Sequence, residues 1–72
     1  MKIELIGRAG DKKLIETNNI IEIEFLSNGF TKVGTIEEDN NYYYSFVQET
    51  PRQIFEIVEK KATVKERLRV VK

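Results

Sequence analysis

The 72-residue sequence contains no cysteine, no histidine and no tryptophan, and only one proline. Without cysteine the chain can form neither disulfides nor thiolate metal sites. Without histidine it also lacks the commonest general base and a frequent transition-metal ligand. Its serines therefore have no histidine to activate them as nucleophiles. From these absences we expect no catalytic site, no metal and no cofactor, and a protein that is not an enzyme.

Long apolar runs are also missing. No stretch approaches the roughly 20 apolar residues that a membrane-spanning helix needs. The opening MKIE carries charge and leads into no apolar run, so we expect no signal peptide. The lack of cysteine fits a reducing compartment. We therefore expect a cytoplasmic protein without membrane insertion.

Acidic residues are clustered once, in the run EED at residues 37–39. This run lacks the ligand spacing and the glycine of a calcium-binding loop. We therefore expect a solvated turn there and no metal site.

The charge is unevenly divided along the chain, although the formal net charge is zero. Residues 1–49 carry five Lys or Arg and nine Asp or Glu, whereas residues 50–72 carry seven and three. A basic helix packed beside an acidic sheet explains this division. The alternative explanation is a basic end that meets an acidic partner or a phosphate backbone. We favour the first explanation, and the sequence leaves the second open.

Alternating apolar and polar residues predict short antiparallel strands in the first 49 residues. KIELIG and KLIET form one hairpin around a turn at Gly10 and Asp11, and IIEIEFL begins the next strand. The dipeptide Asn28-Gly29 then favours a two-residue type I′ turn, in which Ser27 faces Phe30. A three-residue loop at 39–41 leads into the last strand.

This register determines which side chains we expect inside. It places the odd-numbered residues of IIEIEFL and the side chains of Tyr42, Tyr44 and Phe46 on one inner face, and it turns Tyr43 outward. A small domain of this length buries only roughly 60% of its unfolded surface, so a second layer is needed to complete the core. The expected core consists of Ile21, Ile23, Phe25, Ile36, Tyr44, Phe46, Ile54, Phe55 and Val58.

The last third of the chain has the signals of a helix start. Thr50 is a good N-cap, Pro51 suits the first helical position, and Gln53 completes a capping box with Thr50. An apolar face follows at Ile54, Phe55, Ile57, Val58 and Ala62. We therefore expect an α+β fold: one small antiparallel sheet of about five strands, with one C-terminal helix packed on one face. Residues 1–72 form a single domain, with the sheet in 1–49 and the helix and its basic tail in 50–72.

The end of this helix is not marked by glycine or proline. The apolar spacing supports a helix to about residue 66. Thr63 with Glu66 also resembles a second capping box, and RLRVV alternates like a strand. The sequence leaves open whether residues 63–72 are helix, strand or mobile.

Two stretches resemble the FlbD family of small flagellar and swarming-motility proteins. LIETNNIIEIEF is similar to that family's segment around an asparagine and a repeated Ile-Glu, and YYSFVQETPRQIFEIVEK is similar to its last strand and helix. The sequence also resembles small phage accessory proteins, so we expect a bacterial or phage origin. The resemblance implies a protein-binding accessory role and no reaction.

The function that we expect from the sequence is a small protein-protein interaction module. The apolar series that continues along the helix predicts an interface at Val64, Leu68 and Val71, beyond the reach of the expected sheet. A second copy of the chain could occupy it, giving a homodimer through the C-terminal helix.

The alternative function is nucleic-acid binding by the basic end of the chain. Residues 60–72 contain six cationic residues and one acidic residue. An outward tyrosine on the sheet adds a stacking surface for bases. The candidate contacts are Lys60, Lys61, Lys65, Arg67, Arg69, Lys72 and Tyr43.

Overall fold

The structure is a computed structural model that describes the backbone of residues 1–71 and the side chains of residues 1–61. Over this part of the chain it contains two antiparallel sheets and one C-terminal helix. The α+β class is confirmed, but the expectation of one five-stranded sheet is wrong. The elements in chain order are β1 (Lys2–Ile6), β2 (Lys12–Glu16), a 3₁₀ turn (Thr17–Asn19), β3 (Ile20–Phe25), β4 (Thr31–Ile36), β5 (Tyr42–Val47) and α1 (Pro51–Val71).

The two sheets are a β1–β2 hairpin and a β3–β4–β5 meander, joined along one edge. Beyond the end of β1, Gly7 lies opposite Val47 in a single antiparallel bridge. The amide of Arg8 donates to the Phe46 carbonyl at 3.0 Å, and the amide of Gln48 donates to the Ile6 carbonyl at 2.8 Å. The chain after β1 therefore runs beside β5, and the two sheets meet at a corner with apolar side chains between them.

The core comes from both sheets and the helix. Alternation places Ile3 and Leu5 on the same face of β1, and Val33 of β4 and Val47 of β5 face them across the corner. Partly buried Ile20, Ile23, Ile57 and Val58 pack around this cluster. Its fully or almost fully buried members are Ile3, Leu5, Ile15, Val33, Val47 and Ile54.

The turn between β3 and β4 differs from the expected one by one residue. The pairs are Phe25 with Thr31 and Ile23 with Val33, so the loop has three residues, 27–29. The Gly29 amide donates to the Leu26 carbonyl at 3.1 Å, and Gly29 has a φ of 89°. These features describe a type I turn followed by a glycine in the left-handed region, the usual three-residue hairpin loop. Asn-Gly suits this turn as well as it suits type I′. The position of the hairpin and the positive φ of Gly29 were correctly predicted, and the register was not.

The one-residue slip reverses the faces of β4 and β5. The next loop comprises residues 38–40, with Asn40 at a φ of 65°, and Ile36 pairs with Tyr42 where we expected Tyr44. The register between β4 and β5 thus differs from the expected one by two residues. A shift of two residues leaves each side chain of β5 on the expected face relative to β4. Val33 and Val47 consequently point into the core, and the even-numbered aromatic residues of β5 point outward.

The expected core is therefore corrected at several positions. Ile54 is buried as predicted, and Ile23 and Val58 lie at the margin of the core. Phe46 is only partly buried and lies on the outer face. A register shift between Ile20 and Glu22 accounts for the exposure of the intervening residue. The expected core residues that are exposed are Ile21, Phe25, Ile36, Tyr44 and Phe55.

The start of α1 is as predicted. The Gln53 amide donates to the Thr50 hydroxyl at 3.2 Å, and the Thr50 amide donates to the Gln53 side-chain oxygen at 2.8 Å, which is a complete capping box. The helix continues without a break to Val71, so a new helix at Thr63 and a strand at 67–71 are both wrong. Within the described residues, no helix combines the length and the apolar character needed to cross a membrane.

The helix presents a narrow side to the sheets. Ile54, Ile57 and Val58 follow the spacing of three and four that aligns side chains along one side of a helix, and they pack in or beside the core. Phe55 is displaced by about 100° from Ile54 around the axis and is 57% exposed. Of the broad apolar face expected from the sequence, the described residues on the Ile54 side contribute to the core and Phe55 does not, while Ala62 lies outside the described side chains.

Candidate interaction surface

The outer face of the β3–β4–β5 sheet carries a stripe of aromatic side chains. Tyr42, Tyr44 and Phe46 alternate along β5 and so point to the same side. The ring centroids of Tyr42 and Tyr44 are 6.2 Å apart, and those of Tyr44 and Phe46 are 5.4 Å apart in an edge-to-face arrangement. With Ile36 beside Tyr42, these residues form a surface that we call the aromatic face.

Gly34 allows the aromatic face to reach across β4. A Cβ atom at this position would lie 2.5 Å from the Tyr42 hydroxyl oxygen, so no other residue fits without moving the ring. Because Gly34 has no side chain, the Tyr42 ring can lie across β4 at this position. Its hydroxyl donates to the carboxylate of Glu22 on β3 at 2.5 Å.

Lys32 completes a polar cluster around these rings. Its ammonium lies 3.6 Å from the Glu22 carboxylate, 5.8 Å from the Tyr42 ring centroid and 5.3 Å from that of Tyr44. The Tyr42 hydrogen bond, and then the Lys32 charge, hold the pKa of Glu22 below its ordinary value. The same hydrogen bond raises the pKa of Tyr42. At neutral pH the cluster is thus a carboxylate, an ammonium and a neutral phenol that fix the rings in place.

We expect the Tyr42→Phe substitution to raise the pKa of Glu22 toward its ordinary value of 4.5, because the hydrogen bond that stabilises the carboxylate is removed. In the unaltered protein this bond contributes stability that is present above the ordinary pKa and is lost as the pH falls through the lowered one. A carboxyl-carbon NMR titration measures the shift. Tyr44→Phe is the matched control and should leave Glu22 unchanged; equal titration of Glu22 in all three proteins would contradict the role of Tyr42.

Charges are ordered across the outer face from one edge to the other. Glu24 pairs with Lys32, Lys32 pairs with Phe46, and the Arg8 amide binds the Phe46 carbonyl, so these four residues form one row. Neither Glu24 nor Arg8 forms an ion pair with another described side chain. The Arg8 guanidinium lies 5.9 Å from the Phe30 ring centroid. The face therefore has a carboxylate at its β3 edge and a cation at its β1 edge.

Tyr43, the stacking residue of the nucleic-acid alternative, lies on the opposite side of β5. It borders a narrow cleft between the two sheets, together with Leu14 and Thr35. Its hydroxyl donates to the Asp39 carboxylate at 2.7 Å, which raises the pKa of Tyr43 and lowers that of Asp39. Tyr43 thus has a carboxylate as its immediate neighbour.

The remaining sequence-predicted residues lie on α1 and beyond it. Lys60 and Lys61 are exposed, and the Lys61 ammonium donates to the Lys2 carbonyl oxygen at 2.5 Å. The structure does not bring either lysine together with Tyr43, since Lys60 lines a separate groove with Glu49 and Gln53. The other predicted residues lie outside the described side chains, and their roles stay predictions: Val64, Leu68, Val71, Lys65, Arg67, Arg69 and Lys72.

The sequence reasoning grouped Tyr42, Tyr44 and Phe46 correctly but placed them in the core. One signal that favours their exposure is present in the sequence. The odd-numbered residues of β5 point to the other face of the sheet and include Val47. Val47 pairs with Thr31 of β4, and Val33 lies on the same face, two residues further along β4. All three are β-branched residues that suit a buried sheet position. No sequence pattern indicated that Arg8 and Glu24 lie near the aromatic face, because this proximity depends on the corner between the sheets.

Comparisons of the chain with protein-family models, curated proteins and solved structures gave no match. The resemblance to the FlbD family therefore stays a prediction. Among the residues that the structure describes, no group of three or more carboxylates could hold a metal ion.

Proposed function

We propose that this protein is a small protein-protein interaction module and that the aromatic face is its contact surface. The observation that carries the proposal is the exposure of Tyr44, 56% of whose surface is accessible at the centre of the stripe. Tyr42 and Ile36 are exposed beside it. A contiguous apolar patch of this kind, rimmed by charged groups, is typical of a binding site on a small soluble domain.

The chemistry of the aromatic face suits a protein partner. Tyrosine and phenylalanine are enriched in protein interfaces, and tyrosine is also enriched among the residues that contribute most of the binding energy. The cluster of Glu22, Lys32 and Tyr42 holds the rings before a partner arrives, which lowers the conformational entropy that binding must overcome. The resemblance of the sequence to the FlbD family also favours a protein partner, since it implies a protein-binding accessory role.

The C-terminal half of α1 is a second contact segment in this proposal. Val64, Leu68 and Val71 continue the helical spacing of three and four. The homodimer through these residues remains a prediction from the sequence and is tested separately from the aromatic face below.

Nucleic-acid binding is the alternative proposal, and it rests on the excess of positive charge in residues 50–72. The described residues support it less well. The Tyr43 hydroxyl is bound to Asp39, and Glu22 and Glu24 place negative charge beside the exposed aromatic rings. Phosphates at this face would lie close to two carboxylates, which repel them.

Photo-crosslinking from the aromatic face tests the proposed function. A benzophenone amino acid replaces Tyr44 in the full chain, expressed in cells that make the protein naturally. The matched control carries it in place of Leu14, which is 71% exposed but lies on the other sheet. We expect irradiation to give discrete protein adducts from position 44, at least about fivefold stronger than from position 14, and to give them after nuclease treatment as well.

The outcomes separate the two functions. Nuclease-resistant adducts that form at position 44 and not at position 14 support a protein contact through the aromatic face. Adducts that nuclease removes would replace the proposal with nucleic-acid binding, and equal labelling from both positions would overturn the aromatic face as the contact surface.

A further inference from the structure

The row of residues across the outer face is complementary to itself. From the β3 edge to the β1 edge it reads Glu24, Lys32, Phe46 and Arg8, in neighbouring strands about 4.8 Å apart. The carboxylate and the guanidinium thus stand at opposite ends of a span of about 14 Å, with an ammonium and an aromatic ring between them. Asp11 and Lys13, which are near Arg8, form a 3.2 Å ion pair and largely cancel each other.

We infer that the aromatic face binds a second copy of the same chain, with the two sheets face to face about a two-fold axis. The inference rests on the proposed function and names the partner of its surface. An axis that runs along the strands, between β4 and β5, maps the row onto itself in reverse. Glu24 of each copy then lies opposite Arg8 of the other, and Lys32 lies opposite Phe46. Such an interface is closed after two subunits.

Each of these opposed pairs is chemically favourable. Glu24 and Arg8 gain an ion pair that neither makes with a described side chain in the single copy. Arg8 can leave its contact with the Phe30 ring at small cost, since cation–π contacts at exposed positions are weak. Lys32 already lies against aromatic rings on its own sheet, and Phe46 of the second copy offers it another ring face.

The next row fits the same axis. It contains Glu22, Gly34 and Tyr44, so the axis places Tyr44 of one copy over Gly34 of the other. Gly34 has no side chain, and the Tyr42 ring of the same copy lies across it. The central contact is therefore between tyrosine rings of the two copies, an arrangement that proteins use at the centre of interfaces.

The size of the face limits the affinity. Three strands of six residues cover about 15 by 20 Å, which is below the roughly 800 Å² per partner of a standard interface. We therefore expect a reversible dimer with a dissociation constant on the order of 10–500 μM, in the range of small transient complexes.

The test reverses the charge at one end of the row in each of two variants. Arg8→Glu and Glu24→Arg are prepared separately in the full chain, and sedimentation equilibrium is measured from about 10 μM to 1 mM. We expect the unaltered protein to dimerise, each variant alone to dimerise at least tenfold more weakly, and an equimolar mixture of the two to recover dimers. Recovery occurs because the two ends of the row carry like charges within each variant, whereas in the mixed dimer each end meets the opposite charge.

Controls separate association from folding. Circular dichroism and thermal unfolding establish that each variant is folded, and Glu56→Arg, a charge reversal at an exposed helix position away from the face, should leave the dimer unchanged. Tyr44→Ser removes the central ring without removing a described hydrogen bond, and it should weaken dimerisation at least tenfold. It serves as the test if a charge variant does not fold.

Three results would overturn the inference. They are a protein that is monomeric at 1 mM, charge variants whose mixture shows no recovery, and loss of the dimer in Leu68→Asp with none in Arg8→Glu or Tyr44→Ser. The last result would assign the dimer to the C-terminal helix. Nuclease-resistant adducts between position 44 and a different protein, combined with a monomeric chain, would leave the proposed function intact and remove only the second copy as its partner.

Discussion

Replacing Ile54 by alanine is expected to lower the free energy of unfolding by about 3 kcal/mol, within the range measured for deletions of large buried aliphatic side chains. Ile54 is fully buried and, among the described side chains of α1, is the one that belongs to the buried core cluster, together with strand residues of both sheets. The cavity left by its removal would lie between the helix and the corner of the sheets. Neither can close it without breaking the strand pairing or the capped helix start.

Phe55→Ala is the matched control, in the same turn of the same helix. Phenylalanine loses more apolar surface than isoleucine on truncation, but Phe55 is 57% exposed. We therefore expect a loss below about 1 kcal/mol, typical of surface positions. Urea denaturation followed by circular dichroism measures both values at one protein concentration, held low so that self-association does not contribute. A larger loss for Phe55→Ala than for Ile54→Ala would show that the helix packs by a different side.

The prediction of the helix start succeeded because its signals are local. Thr50, Pro51 and Gln53 satisfy the backbone groups of the first turn regardless of what the helix packs against. The left-handed conformation of Gly29 is likewise a property of a few neighbouring residues. Features of this kind follow from the sequence alone.

The faces of the strands could not be fixed in the same way. Asn28-Gly29 is compatible with loops of two and of three residues, and these differ by one residue in register. Since side chains alternate with a period of two, this small uncertainty exchanges the inner and outer faces of β4 and β5. Because the dipeptide suits both loops, the choice between them depends on the packing of Val33 and Val47 in the core beside β1 and the helix, which is a tertiary effect.

The candidate surface was missed for a related reason. Burial of Tyr42, Tyr44 and Phe46 is the ordinary expectation for aromatic residues, and the structure departs from it. The part of the chain that the structure describes provides one helix and one separate hairpin with which to cover the three-stranded sheet, and the buried core lies on a single face of that sheet. Sequence reasoning that assumes apolar residues are inside is expected to fail at binding surfaces.

Removing the side chain of Glu49 is expected to be the second most damaging change, with a loss of about 2 kcal/mol in the Glu49→Ala variant. Both carboxylate oxygens of Glu49 accept the Ile6 amide at 3.0 Å, in a partly buried position at the junction of β5 and α1. A hydrogen bond to a charged group contributes about 1.5–3 kcal/mol, and its removal leaves the partly buried Ile6 amide without its side-chain acceptor. The variant therefore weakens the edge along which the two sheets are joined.

Glu49→Gln distinguishes the hydrogen bond from the charge. Glutamine retains a side-chain oxygen that can accept the Ile6 amide, so we expect it to preserve at least half of the stability that alanine loses. Hydrogen exchange gives a local measurement: the Ile6 and Gln48 amides, which join β1 to β5, should exchange faster in Glu49→Ala, while amides in the centre of β4 change less. Glu56→Ala, at an exposed helix position with only a 4.0 Å contact to Arg52, is the surface control. If Glu49→Ala were as mild as Glu56→Ala, the backbone contacts between the chain after β1 and β5 would hold the two sheets together without the carboxylate, which would then be dispensable to the fold.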